Sequence, residues 1–215
     1  MSKESKNKSS SVSSAKALLV RYACPLSYHQ VRTRFMGNIA TPDMTISPMQ
    51  EIRCIWNNDL PVFESKSEAE EFFGVLIQGL WNALSAHQKR TEPFKLTRIA
   101  TAPASLEFLT KFARVRHEEI EGFVDGLFAN EDELDLPDSA HKAVAILGEM
   151  RSIFAATEQL DSQPASVASI TETIKHFQQM TRIAEHEINV VIQSCKKARA
   201  QAMETLPTGR PPFFH

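Results

Sequence analysis

The chain has 215 residues, 42% hydrophobic and 23% charged, enough apolar material for a packed core and too much for wholesale disorder. No uninterrupted apolar run approaches the roughly 20 residues a membrane helix needs. Three cysteines make no disulfide framework, so the expectation is a reducing, cytoplasmic setting with no membrane contact. Seven glycines against 13 phenylalanines leave too few turn residues for a barrel or sandwich, and the apolar spacing is helical almost throughout, so the expected class is all-α.

Residues 1–14 are Ser/Lys-rich and nearly devoid of large apolar groups, which reads as a disordered basic arm. Residues 15–205 read as one helical domain. Two short helices are expected over 15–23 and 26–37, broken around Pro25. Ser47-Pro48-Met49-Gln50 then has the pattern of an N-cap, a first-turn proline and a capping-box glutamine, opening a helix that stops near Asn57-Asn58. The clearest helix is 66–88: Ser65 and Glu68 fit a capping box, and Phe72, Phe73, Leu76, Ile77, Leu80, Trp81 and Leu84 form one wide apolar stripe. A further helix over 104–129 carries Gly122-x-x-x-Gly126, a spacing that admits close approach of another helix.

Asp135 or Asp138 is expected to cap a helix over 138–160. The last helix, 166–203, has an apolar seam through Val167, Ile170, Ile174, Phe177, Ala184, Ile188, Val191, Cys195, Ala198 and Ala202, close to a heptad register with Thr181 as the polar misfit. The short linker Asp161-Ser162-Gln163-Pro164 favours an antiparallel helical hairpin over 138–205. The seam serves either the chain's own core or self-association. Residues 206–215, rich in proline, read as an extended tail.

Catalytic motifs are missing from this pattern. Cys24, Cys54 and Cys195 are scattered, and Cys195 sits where a cysteine packs as a small hydrophobe. There is no G-x-S-x-G, no P-loop and no G-x-G-x-x-G. His117 with Glu121, Glu172 with His176, and Glu185-His186-Glu187 match no metal-ligand spacing and read as solvated helix faces. No set of acid, base and nucleophile can be assembled, and no cofactor or metal is expected.

Charge distribution is the stronger lead. Residues 1–42 hold seven Lys/Arg against Glu4 alone, and residues 118–138 hold nine acids and no Lys or Arg. A basic arm with Lys3, Lys6, Lys8 and Lys16 could make weak, sequence-independent contact with nucleic acid phosphates. The acidic stretch, including Glu131, Asp132 and Glu133, could dock a basic partner, the chain's own arm among the candidates.

Pro61-Val62-Phe63-Glu64 leads into Glu70-Glu71-Phe72-Phe73-Gly74-Val75-Leu76 and Leu80-Trp81-Asn82-Ala83-Leu84. This stretch resembles the helical core of bacterial YecA-like proteins. Ser47-Pro48 and Ile55-Trp56 are similar to the short helix upstream of that core, and Glu121-Gly122-Phe123-Val124-Asp125-Gly126 to the glycine-containing helix after it. The resemblance covers residues 45–130 and implies a compact all-α bacterial protein without an established activity. The Cys-rich, zinc-binding tail of many members has no counterpart in Gly209-Arg210-Pro211-Pro212-Phe213-Phe214-His215. Together these readings lead to the expectation of a non-enzymatic helical protein that acts through protein–protein contact or self-association. The interaction residues expected are Lys3, Lys6, Lys8 and Lys16 on the arm, Glu131, Asp132 and Glu133 on the acidic stretch, and Ile174, Phe177 and Ile188 on the seam.

Overall fold

Three glycines set the closest helix contact. In the computed structural model, which describes residues 14–100, 102–129, 131–159 and 166–205, α1 (14–21) leads into α2 (Tyr28–Ala40). That helix lies directly against α6 (Leu106–Phe128). A Cβ on Gly126 would fall 1.9 Å from the Arg34 carbonyl oxygen, one on Gly122 2.5 Å from the Gln30 oxygen, and one on Gly37 2.0 Å from the Phe123 oxygen. The two backbones therefore touch, as Gly-x-x-x-Gly requires, and the paired positions rise together, so α2 and α6 run parallel. Ser27 caps α2 by accepting from Gln30 N, and its hydroxyl donates to Glu118 on α6 at 2.7 Å.

Between them lie α3 (Pro48–Ile55), with the full Ser47/Gln50 capping box, and α4 (Lys66–Phe73). The expected single helix over 66–88 divides. Gly74–Trp81 is π-helical, α5 (Asn82–Ser85) resumes the α form, and Ala86–Gln88 closes in a 3₁₀ turn. Phe72, Leu76, Leu80 and Leu84 are all buried. In an α-helix each step of four residues overshoots a turn by about 40°, so three steps would swing Leu84 well away from Phe72. The wider π turn takes up that excess and keeps the period-four row on one line. The Ser65 cap is only half a capping box, because the Glu68 carboxylate accepts from Glu64 N at 2.9 Å rather than from Ser65 N. Tyr22, Trp56, Phe63 and Phe73 surround Phe72 with ring centroids 5.1–5.2 Å from it, beside α1 and α3.

The C-terminal half is the helical hairpin. In α7 (Asp138–Glu158) and α8 (Val167–Thr205), Ser139 pairs with Ser194 at 2.7 Å and the Phe154 ring meets Phe177 at 4.9 Å, which makes the two antiparallel. The N-cap of α7 is Pro137, so neither Asp135 nor Asp138 caps it through a side chain; Asp138 stands in the first turn, where its charge favours the helix dipole. Of the expected seam, Ile170, Ile174, Phe177, Ala184, Ile188, Val191 and Cys195 are buried within this one chain, whereas Val167 and Ala202 at its two ends are exposed and Ala198 is half-buried. The Thr181 hydroxyl accepts from Arg116 Nε at 3.0 Å and donates to the Phe177 carbonyl at 2.7 Å, which accounts for a polar residue in the seam. Arg199, near the end of α8, donates to the Ile39 and Thr41 carbonyls and so satisfies the C-terminus of α2. Of the expected arm at 1–14, Ser14 already belongs to α1; its residues 1–13, with Lys3, Lys6 and Lys8, the linker 161–164 and the tail 206–215 lie outside the described residues.

Residues 89–103 lie between the two expected helices, and part of them forms a strap. Phe94 and Leu96 are buried, and side chains satisfy the strap's backbone in place of a neighbouring strand. Asn189 of α8 accepts from Phe94 N at 2.8 Å and donates to Phe94 O at 2.9 Å. Glu185 accepts from Leu96 N at 3.1 Å, Arg32 donates to Lys95 O at 2.7 Å, and Glu119 and Arg116 take Thr97 N and O at 2.7 Å each.

Candidate functional site

The two charged stretches of the sequence meet inside the fold. Arg32 of α2 stands 3.8 Å from the fully buried Glu119 of α6, which also holds Arg116 one turn before it. Arg34 of α2 reaches Glu51 of α3 and lies 3.6 Å from Asp125 of α6. Glu121 accepts from Gln30 at 2.9 Å, and Glu118 accepts from Ser27. Four of the nine acids in 118–138 are therefore bonded to α2 or to its capping residue Ser27 or to cations beside it. Of the expected arm lysines only Lys16 is described, exposed on α1 with its ammonium 5.0 Å from the Tyr28 ring centre.

The remaining acids face outward. Glu131, Asp132 and Glu133 are exposed and make no ion pair among the described residues. Ala129 ends α6 in a left-handed conformation (φ 49°), its N–H bonded to Asp125 O at 2.9 Å. This turn returns the chain so that Glu131 lines a cavity of about 350 Å³ under α2 and α3. Asn38, Asp43, Gln50, Glu51 and Arg53 also line it. Asp43 takes the Thr45 N–H at 2.8 Å, so the turn holds one of its oxygens. Glu133 faces a different cavity, beside Phe128 and Leu136.

Asn38 and Glu51 are the buried floor, 4% and 1% exposed. The Asn38 amide nitrogen donates to Glu51 Oε2 at 3.1 Å and to Gly126 O at 3.5 Å. Both partners are acceptors, so the nitrogen must be on that side, and the amide oxygen is left buried with no donor. Burial pushes the Glu51 carboxyl above the usual range; Arg34 opposes that shift by its charge and hydrogen bond, and Asp125 adds to it. A wall of three carboxylates with one unpaired buried acceptor suits a ligand rich in hydrogen-bond donors and carrying positive charge.

Other candidates take their places differently. Ile174, Phe177 and Ile188 are buried inside the hairpin and present no surface. Cys195 is fully buried, and burial raises its thiol to about 11, far from a reactive thiolate. His117 and Glu121 stand 3.8 Å apart and His176 and Glu172 3.6 Å apart, as i, i+4 neighbours. Among the described residues no group of three His, Cys, Asp or Glu is placed to hold a metal, and no helix is long and apolar enough to cross a membrane. A second, open groove of about 610 Å³ on α8 has Lys89, Arg90, His186 and Lys197 in its lining and no carboxylate.

Asn38, Glu51 and Arg34 carried no motif in the sequence. Their one signal was position: Arg34 and Asn38 are one turn apart among Phe35, Met36 and Ile39, so polar groups sit at inward-facing places of a packed helix. Comparison with known protein families, curated proteins and solved structures gives no match to this chain.

Proposed function

We propose that this is a non-enzymatic, cytoplasmic helical protein that works by protein–protein contact, docking a basic segment of a partner on Glu131, Asp132 and Glu133 and on the cavity Glu131 borders. The observation that carries this reading is the division of the acidic stretch. Glu118, Glu119, Glu121 and Asp125 are committed to bonds inside the fold, while Glu131, Asp132 and Glu133 stand exposed beside an acid-lined opening. The partner is a protein with a lysine-rich segment.

Fluorescence anisotropy with a labelled twelve-residue Lys/Ser peptide tests it. Neutralising the three acids together (Glu131→Gln, Asp132→Asn, Glu133→Gln) weakens binding roughly tenfold at low salt, since each exposed charge contributes only modestly. Unchanged affinity in the triple variant sinks the docking surface.

Contact with nucleic acid is the second reading, and the carboxylate-free groove on α8 favours it. It requires binding of duplex DNA that falls steeply with salt and weakens when residues 2–16 are deleted.

A further inference from the structure

We propose that the Asn38–Glu51 cavity is a binding site for one protonated primary amine, supplied as the lysine side chain of the basic segment that docks beside it. The inference rests on the docking reading for the source of the amine, and on the cavity alone for its chemistry.

Hydrogen-bond bookkeeping defines that chemistry. The Asn38 amide nitrogen is spent on Glu51 and Gly126, and its oxygen, on a side chain that lines the cavity, is a buried acceptor without a donor. Glu51 accepts one bond on each oxygen, from Arg34 and from Asn38, which leaves further lone pairs on both. Asp43 accepts from Thr45, and its carboxylate too keeps unused lone pairs. Gln50 uses its amide oxygen on Ser47 N. The lining therefore offers acceptors around a wall in which Asp43 and Glu131 outweigh Arg53, Glu51 being paired with Arg34. An ammonium group has three donors, no acceptor and a compact charge, which matches that supply. An anion would leave the Asn38 oxygen without a donor and meet the charge of Asp43 and Glu131, and a neutral amide would bring a donor but no charge to that wall. A cavity of about 350 Å³ has room for one alkylammonium chain. A metal ion is disfavoured, because no group of three ligating side chains converges among the described residues.

The test follows the Asn38 side-chain NH₂ resonance of the full-length ¹⁵N-labelled protein during titration with three probes. These are n-butylamine, a Lys/Ser peptide, and the same peptide acetylated on every lysine Nε. The expected result is a saturable shift with the amine and with the unmodified peptide, none with the acetylated peptide, and peptide affinity at least about tenfold above the free amine. Asp43→Asn, which keeps one oxygen for the Thr45 N–H and removes the charge, weakens both ligands roughly tenfold at an unchanged backbone spectrum. Asn38→Leu, which removes the reporting NH₂ and is therefore followed on the Glu51 backbone amide, abolishes the shift that amide shows in the parent protein; because it also removes the bond to Glu51, Asp43→Asn carries the test if that variant does not fold. A peptide that binds without moving Asn38, or equally well when acetylated, overturns the amine site and leaves the docking reading standing. Butylamine moving Asn38 while the peptide does not bind supports the amine site and overturns the docking reading, the source then being a free amine. A titration in which no probe moves Asn38 means the orphan oxygen holds a buried water, and it overturns the site.

Discussion

Gly126 and Gly148 are both helical glycines with opposite environments. A Cβ on Gly126 would meet the Arg34 backbone at 1.9 Å, and backbone cannot swing aside as a side-chain tip can. A Cβ on Gly148, in α7, meets nothing within 4 Å. Gly126→Ala should therefore lower unfolding free energy by about 3 kcal/mol through overpacking. Gly148→Ala should raise it by about 1 kcal/mol, the helix-propensity difference between the two residues. Urea denaturation of both variants checks the pair, and a similar effect at the two sites contradicts the close α2–α6 contact. The spacing Gly122-x-x-x-Gly126 made the close approach legible in the sequence. Its partner was not, because nothing in 118–138 says that Gln30 and Arg34 lie opposite. The orphan acceptor was less legible still. Asn38 becomes informative only when Glu51 and Gly126 are seen to hold its nitrogen.

Among the elements, the long helices were read from periodicity alone, since α6, α7 and α8 bury continuous stripes and their boundaries differ from expectation by only a few residues. The π segment at Gly74–Trp81 was not legible, because a row of apolar residues at every fourth position reads as ordinary helix until its burial is known. The strap was missed for a related reason. Its backbone is satisfied by side chains of Arg32, Arg116, Glu119, Glu185 and Asn189, and no local pattern encodes partners up to 95 residues away. Asn189 alone bridges both polar groups of Phe94. Asn189→Ala leaves a buried N–H and C=O without partners, a loss of about 1–3 kcal/mol. Hydrogen exchange should show the Phe94 and Leu96 amides exchanging at least about tenfold faster, with protection in the middle of α7 unchanged. Equal loosening of the strap and α7 would contradict a strap held locally.

For the whole molecule, the charge asymmetry has a structural meaning that counting alone did not reveal. The cations of 1–42 and the acids of 118–138 are partly each other's partners: Arg32 with Glu119, and Arg34 with Asp125 and with Glu51. The seam of α8 is likewise consumed inside the chain rather than left for a second copy. What is left over is specific: five exposed acids, three of them consecutive at Glu131, Asp132 and Glu133, a cavity with an acidic wall, and one buried oxygen lacking a donor. The account stands on that remainder as a docking site for a basic partner. The most direct measurement is a two-dimensional amide spectrum of the full-length protein with and without a saturating Lys/Ser peptide at low salt. The account predicts that the perturbed amides cluster in residues 38–58 and 125–135, around Asn38, Glu51 and Glu131. Perturbation centred instead on Lys89, His186 and Lys197, or none at all, contradicts it.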